Sequence, residues 1–307
     1  MVDLNLIKKI REATGCGIAD CNKALAECGN NYEEAIDWLR KKGLSSAAKK
    51  SSRVTTEGLI GICNKGNIAS IVEVNSETDF VARNEKFQEL VLHCVEAGIN
   101  VENSDNYVED LKNQTVNGEK INDELTNKIA VIGENLQIRR GKTIKLNNDG
   151  LIVEYLHNTI TPELGKIGVL VALKSEADKE KLRELGKEIA MHIAATKPDY
   201  LKEEEVPTEA LEREKSVLME QAKSSGKPQN IIDKMIEGRI KKFYEESCLL
   251  DQNFVMDDKM KISDLLKSFE KENGKQVEIQ EYCLFILGEG LEKKENDFAA
   301  EVASMTK

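Results

Sequence analysis

Three side chains in this sequence could move protons near neutral pH, His93, His157 and His192, and seven thiols could act as nucleophiles or redox groups. Covalent catalysis asks for more than a reactive atom: a base within reach of a nucleophile, a carboxylate pair at defined spacing, or a metal cluster. No such constellation is signalled. His93 and His192 fall mid-helix beside apolar stripes, where a packed or half-exposed ring is a plainer reading than a catalytic base. His157 ends a strand at a loop and suits a surface contact. The cysteines, at 16, 21, 28, 63, 94, 248 and 283, are odd in number and contain no C-x-x-C pair. Neither a disulfide framework nor a zinc site is therefore indicated, and free thiols suit a reducing compartment. There is no G-x-x-x-x-G-K-[ST] loop and no G-x-G-x-x-G, and Gly288-Glu289-Gly290 is too short to count. The chain is expected to have no nucleotide site, no metal and no cofactor of its own, and binding is left as its chemistry.

Charge narrows the partner. Fifty-five acidic against 44 basic residues give a net charge of −11, which a phosphate backbone would repel, so no direct contact with nucleic acid is expected. The short clusters Lys41-Lys42 and Lys49-Lys50 with Arg53 read as a solvated linker. The 307 residues suffice for two or three domains, and 40% hydrophobic with 32% charged residues is the composition of a folded chain. No apolar run approaches the roughly 20 residues that span a bilayer, so no membrane contact and a cytoplasmic location are expected.

The elements that must position any binding residue follow from periodicity. Residues 4 to 43 read as three short helices, carrying Leu6, Ile7 and Ile10, then Ile18, Cys21, Ala24 and Leu25, then Ala35, Ile36, Trp38 and Leu39. Glycines at 15, 17 and 29 punctuate them. The stretch 47–52 reads as a tether. From Gly58 the period becomes that of strands, 59–63 and 68–74, joined by a turn at Asn64-Lys65-Gly66-Asn67. A helix with Phe87, Leu90, Val91, Cys94 and Val95 comes next, with Ser76 and Thr78 as candidate N-caps and Asp79 at the positive end of its dipole. Phe80 lies one heptad before Phe87, but Arg83 and Asn84 interrupt the stripe, which favours an exposed apolar residue at a helix tip over a core position.

The plan repeats. Asp149-Gly150-Leu151-Ile152 echoes Glu57-Gly58-Leu59-Ile60, followed by a strand to His157, a loop with Pro162, a strand over 167–173 and a helix with Leu185, Ile189, His192 and Ile193. A last strand over 277–285 could pair with this second half. An insertion over 200–247 reads as two helices around a break at 224–228, with Pro228 in the second helix's first turn. Such a helical hairpin is either an oligomer contact or packed on its own domain. The polar stretch 101–120 reads as a surface extension.

Two segments carry a resemblance. Ile10-Arg11-Glu12-Ala13-Thr14-Gly15-Cys16-Gly17-Ile18-Ala19-Asp20-Cys21-Asn22-Lys23-Ala24-Leu25 and Glu73-Val74-Asn75-Ser76-Glu77-Thr78-Asp79-Phe80-Val81-Ala82 closely resemble the two signatures of the elongation factor Ts family. Further matches lie at Ile132-Gly133-Glu134-Asn135, Ile138-Arg139-Arg140, Ala190-Met191-His192-Ile193-Ala194-Ala195, Lys197-Pro198, Glu237-Gly238-Arg239, Lys241-Lys242-Phe243 and Asp297-Phe298-Ala299-Ala300-Glu301-Val302-Ala303, in family order along the whole chain. The resemblance implies an α+β protein. Its expected division is a ubiquitin-associated-like (UBA-like) helical docking domain at 1–54, a core N-subdomain at 55–140, and a core C-subdomain at 141–198 and 249–286. A dimerising helical hairpin at 199–248 and a C-terminal module at 287–307 complete it.

The implied activity is guanine nucleotide exchange on the translational GTPase elongation factor Tu, in its GDP-bound and nucleotide-free states, without covalent chemistry. Thr78, Asp79, Phe80 and Val81 would enter the GTPase domain and disturb its magnesium site, with Phe80 as a wedge. Lys8, Arg11, Ile18 and Ala19 would dock on the same domain, and His157 would meet another. The chain departs from many relatives in having Asn296 before Asp297-Phe298, and from some in having a smaller Ile18-Ala19 pair. The alternatives are a docking scaffold of translation that does not exchange nucleotide and, against the missing constellation, an enzyme using His157 or His192.

Overall fold

The computed structural model describes residues 2–147, 149–223 and 229–292. Its architecture is mixed α and β. Helices α1 (Leu4–Thr14), α2 (Ile18–Glu27) and α3 (Tyr32–Lys50) enclose a small core of Ile7, Ile10, Cys21, Ala24, Leu25, Ala35 and Leu39. Their ends are chemically specified. Asp3 accepts from the Asn5 N–H, Asn31 accepts from the N–H groups of Glu33 and Glu34, and Gly15 stops α1 at φ +68°.

The next unit begins with the hairpin β1 (Glu57–Asn64) and β2 (Ile68–Ser76) and continues into α4 (Glu85–Gly98), α5 (Tyr107–Asn113), the short hairpin β3 (Thr115–Val116) and β4 (Glu119–Lys120), α6 (Ile121–Ile132) and β5 (Leu136–Lys145). The second unit runs β6 (Gly150–His157), β7 (Leu164–Gly165), β8 (Ile167–Lys174) and α7 (Lys179–Thr196). Helices α8 (Thr208–Lys223) and α9 (Gln229–Ser247) pack on each other, and the chain returns through β9 (Asn253–Phe254), β10 (Asp257–Lys261), α10 (Ile262–Asn273) and β11 (Glu278–Ile286). The break at 224–228, with Pro228, and the matched segment with Asn296 lie outside the described residues.

Two antiparallel sheets, ordered β5-β2-β1-β7 and β11-β8-β6, lie between layers of helices. Alternation along each strand explains the layering. On β8, Val169, Val171 and Leu173 face α7 and α10, whereas Leu170 and Ala172, with Ile152 of the neighbouring β6, face the other sheet, where they meet Ile60, Ile62 and Ile71. A strand buried on both faces has to be apolar throughout, and 167–173 is. On β1 and β2, Leu59, Val72 and Val74 point away from that inter-sheet layer into a third cluster with Phe87, Leu90, Val91 and Ile121.

Three expectations need correction. Most of the tether at 47–52, through Lys50, is the end of α3, because alanine and lysine extend a helix readily and this turn has partners. Ala47 packs on the core under α6, and Lys50 Nζ donates to the Ile129 carbonyl at 3.3 Å. The surface extension at 101–120 contributes Val101, Tyr107 and Leu111 to the core, and the Tyr107 hydroxyl meets Thr143 Oγ1 at 3.0 Å. Third, α4 does not start at Thr78. A separate 3-10 turn spans Asp79–Arg83, and Asn84 caps α4 by accepting from the Lys86 N–H, so Phe80 and Phe87 do not share one helix.

Candidate partner-docking face

Strand β2 delivers the Thr78-Asp79-Phe80-Val81 segment, and the contacts made just after the strand decide how it is displayed. Ser76 Oγ donates to the Thr78 carbonyl at 2.9 Å instead of capping a helix. Thr78 turns towards Glu134, just past α6: its N–H donates to Oε2 at 3.0 Å and its hydroxyl to Oε1 at 2.7 Å. The exchange is mutual, because Glu77 Oε1 accepts the Asn135 N–H at 2.6 Å while its carboxylate also faces Arg53 Nη1 at 3.3 Å. Each segment thus lends a carboxylate to the other's backbone. At the far end of the turn Val81 and Ala82 are buried in the core of the first unit. Between these two anchors Asp79 is exposed and Phe80 stands 79% exposed. Val81, expected among the contact residues, is an anchor whose side chain is 5% exposed.

The N-terminal helices present a second part of the face. Lys8, Arg11, Ile18 and Ala19 are all exposed, Ile18 at 57%. Lys86 Nζ, from the first turn of α4, donates to the Gly15 carbonyl at 3.1 Å and ties the α1–α2 loop to the helix after the Phe80 turn. A cleft between the two is lined by Arg11 and Gly17 on one side and Arg83 and Lys86 on the other. Three basic side chains and the acidic Glu85 line this cleft. His157 is elsewhere, at the exposed end of β6, with Nδ1 3.0 Å from the Tyr155 hydroxyl.

The other candidate chemistry is spoken for. His93 Nδ1 lies 2.9 Å from Glu124 Oε2 between α4 and α6. His192 is fully buried, with Nε2 2.9 Å from Gln252 Oε1 and Nδ1 accepting the Val255 N–H at 3.3 Å. Burial, with Gln252 opposing, holds its pKa below the usual imidazole range. All seven cysteines are free thiols; burial foremost pushes Cys248 up to about 11 and Cys283 up to about 12, which keeps both protonated. Among the described residues no group of three or more metal-ligating side chains gathers, and no helix is long and apolar enough to cross a membrane.

Glu134, Glu77 and Lys86 were not singled out by sequence reasoning. Glu134 acts across 56 residues and Glu77 across 58, and neither periodicity nor local spacing marks such a pair.

Fold and face together define an α+β protein that holds an aromatic side chain out to solvent on a doubly anchored turn. The chain belongs to the elongation factor Ts family: the family model described as "Elongation factor TS" matches residues 77–289. It is 50% identical to elongation factor Ts of Rhodospirillum rubrum over 305 residues, covering 98% of this chain and 97% of that protein. Its identity to the elongation factor Ts of Rhodospirillum centenum is 49%, and to that of Parvibaculum lavamentivorans 48%, with coverage of at least 97% on both sides in each case.

Proposed function

We propose that this chain is a guanine nucleotide exchange factor of translation elongation, acting on elongation factor Tu through Asp79 and Phe80. The observation that carries the reading is Phe80 itself, a large apolar group left in water within the family's own signature. Exposing such a side chain forfeits roughly 1.5–3 kcal/mol of burial, which contact with a partner recovers.

Exchange needs no reactive group and no cofactor on this chain. A GTPase holds GDP through its phosphates and a shared magnesium. A protein that prefers the nucleotide-free state must weaken nucleotide binding by the same factor that nucleotide weakens its own. Phe80 as a wedge in the GTPase domain, with Thr78 and Asp79 beside it, supplies the preference by disturbing the magnesium and phosphate site, and GTP loading comes after. In this reading α1–α3 form a UBA-like docking domain that meets the same GTPase domain through Lys8, Arg11, Ile18 and Ala19, and His157 meets another. The segments 55–140, 141–198 with 249–286, and 287–307 are the core subdomains and C-terminal module. The hairpin at 199–248, with Val217, Met219 and Ile231 exposed, is a homodimer contact, which sedimentation of the purified protein tests. The protein works in the cytoplasm, without nucleic acid or membrane.

The test is release of a fluorescent GDP analogue from elongation factor Tu with catalytic amounts of this protein. Acceleration that is lost on Asp79→Ala and Phe80→Ala is the expected result. Absence of acceleration by the folded wild type would leave the docking scaffold as the function.

A further inference from the structure

We propose that Glu134 is a positioning residue for exchange: it holds the Phe80 turn in its binding-competent shape before the partner arrives. The inference rests on the exchange function proposed above and adds a residue that acts on the partner only through Thr78.

The geometry is specific. Both Glu134 oxygens are engaged by one residue, Oε1 by the Thr78 hydroxyl at 2.7 Å and Oε2 by the Thr78 N–H at 3.0 Å. Glu134 is itself held. Gly133, at φ +90°, ends α6 with its N–H on the Ile129 carbonyl, and the N–H of Asn135 is captured by Glu77. The carboxylate therefore projects from the end of a helix whose other side is packed through Ile121, Leu125 and Ile129. Two residues beyond Thr78 stands Phe80, and one further on the core takes up Val81. A turn clamped at Thr78 and at Val81 leaves Phe80 little freedom of direction; a turn clamped at Val81 alone can swing.

The consequence is kinetic and differs from that of removing the wedge. When only a fraction of free molecules holds the competent turn, apparent affinity falls by that fraction. Once the partner is bound, its own contacts hold the turn, so the rate at saturation survives. Hydrogen bonds to a charged carboxylate are the stronger kind, so losing both is expected to raise the half-saturation concentration about tenfold.

Fluorescent-GDP release, titrated to saturation, is the experiment. Glu134→Ala should raise half-saturation about tenfold with a plateau within about twofold of wild type, whereas Phe80→Ala should lower the plateau. Glu134→Gln, which keeps one acceptor oxygen and folds if the alanine variant does not, should fall between. An unchanged half-saturation or a lowered plateau in Glu134→Ala would each overturn the assignment. Hydrogen exchange of the Thr78 amide in the free protein reads the brace directly. Protection lost in Glu134→Ala supports it and protection retained refutes it, even where wild type fails to release GDP and the function itself falls.

Discussion

Gly58 and Gly150 occupy equivalent places in the two halves of the molecule. Gly58 pairs with Asn75 at φ +132°, and a Cβ there would sit 2.1 Å from the Val74 carbonyl oxygen. Gly150 pairs with Lys174 at φ +158°, and a Cβ there would sit 2.1 Å from the Leu173 carbonyl oxygen. Gly58 is the second residue of β1 and Gly150 the first of β6, and in both halves the obstructing carbonyl belongs to the residue just before the glycine's partner. The internal repeat is thus preserved at the level of one hydrogen atom in place of a side chain. Either Gly→Ala change should cost at least about 1–3 kcal/mol in urea unfolding, since backbone cannot step aside as a side chain can. Near-neutral effects at both positions would show that the strand entries relax freely.

Glu73 makes a second prediction. Its side chain is fully buried on β2, where it meets Arg139 Nη1 at 3.0 Å, Arg140 Nε at 2.6 Å and the Gly288 N–H at 2.9 Å. Arg140 also donates to the Ile286 carbonyl, so this carboxylate joins β2, β5 and the end of β11. Burial alone would raise its pKa, but the Gly288 amide, the Arg140 guanidinium and Asn75 outweigh burial and hold it below the ordinary 4.5. A carboxyl lowered in the folded state contributes stability in full above pH 4.5 and loses it as pH falls through the folded value. Glu73→Gln takes the buried charge away from two guanidinium groups, leaving them their partners at Ile286 and Glu289, and should cost on the order of 3 kcal/mol at pH 7. The gap between wild type and variant should narrow as pH drops below 4.5; a constant gap would mean the charge is irrelevant.

His192 titrates with a different window. Because Nδ1 accepts the Val255 N–H, the neutral ring carries its proton on Nε2, towards Gln252. A second proton would break the Val255 bond and place a charge in the core. With the folded pKa below 6.5, the unfolded chain binds more protons as pH falls past 6.5, and stability declines from there downwards. The His192 imidazole resonances should titrate with a midpoint below 6.5 in the folded protein. A full titration at or above 6.5 would contradict the buried neutral ring.

Much of this fold is legible because period and burial coincide. The strands over 167–173 and 59–63 are read correctly since both are short apolar runs buried on both faces. Misreadings arise where a local signal had two owners. Ser76 and Thr78 are good caps by type, yet their side chains satisfy a carbonyl and a remote carboxylate, and Asn84 caps the helix. Tyr107 and Leu111, one helical turn apart in a seven-residue helix, give too short a stripe to stand out from the polar residues around them. Both ends of the brace on Phe80 fall in family-matched segments, but their pairing left no trace because it joins loops far apart in the chain.

Phe80 and Phe87, seven residues apart, should respond oppositely to the same substitution. Phe87 is fully buried in the core beneath β1 and β2, and Phe87→Ala removes about 3–5 kcal/mol by transfer and cavity formation. Phe80 is 79% exposed, so Phe80→Ala should change folding stability by no more than about 0.5 kcal/mol. The activity effect should run the other way round. At a temperature where both variants are folded, GDP release from elongation factor Tu should be nearly normal with Phe87→Ala and strongly reduced with Phe80→Ala. That crossed pattern separates a side chain kept for a partner from one kept for the core. A stability loss at Phe80 comparable to that at Phe87 would place its ring inside the protein in solution and remove the wedge from the mechanism.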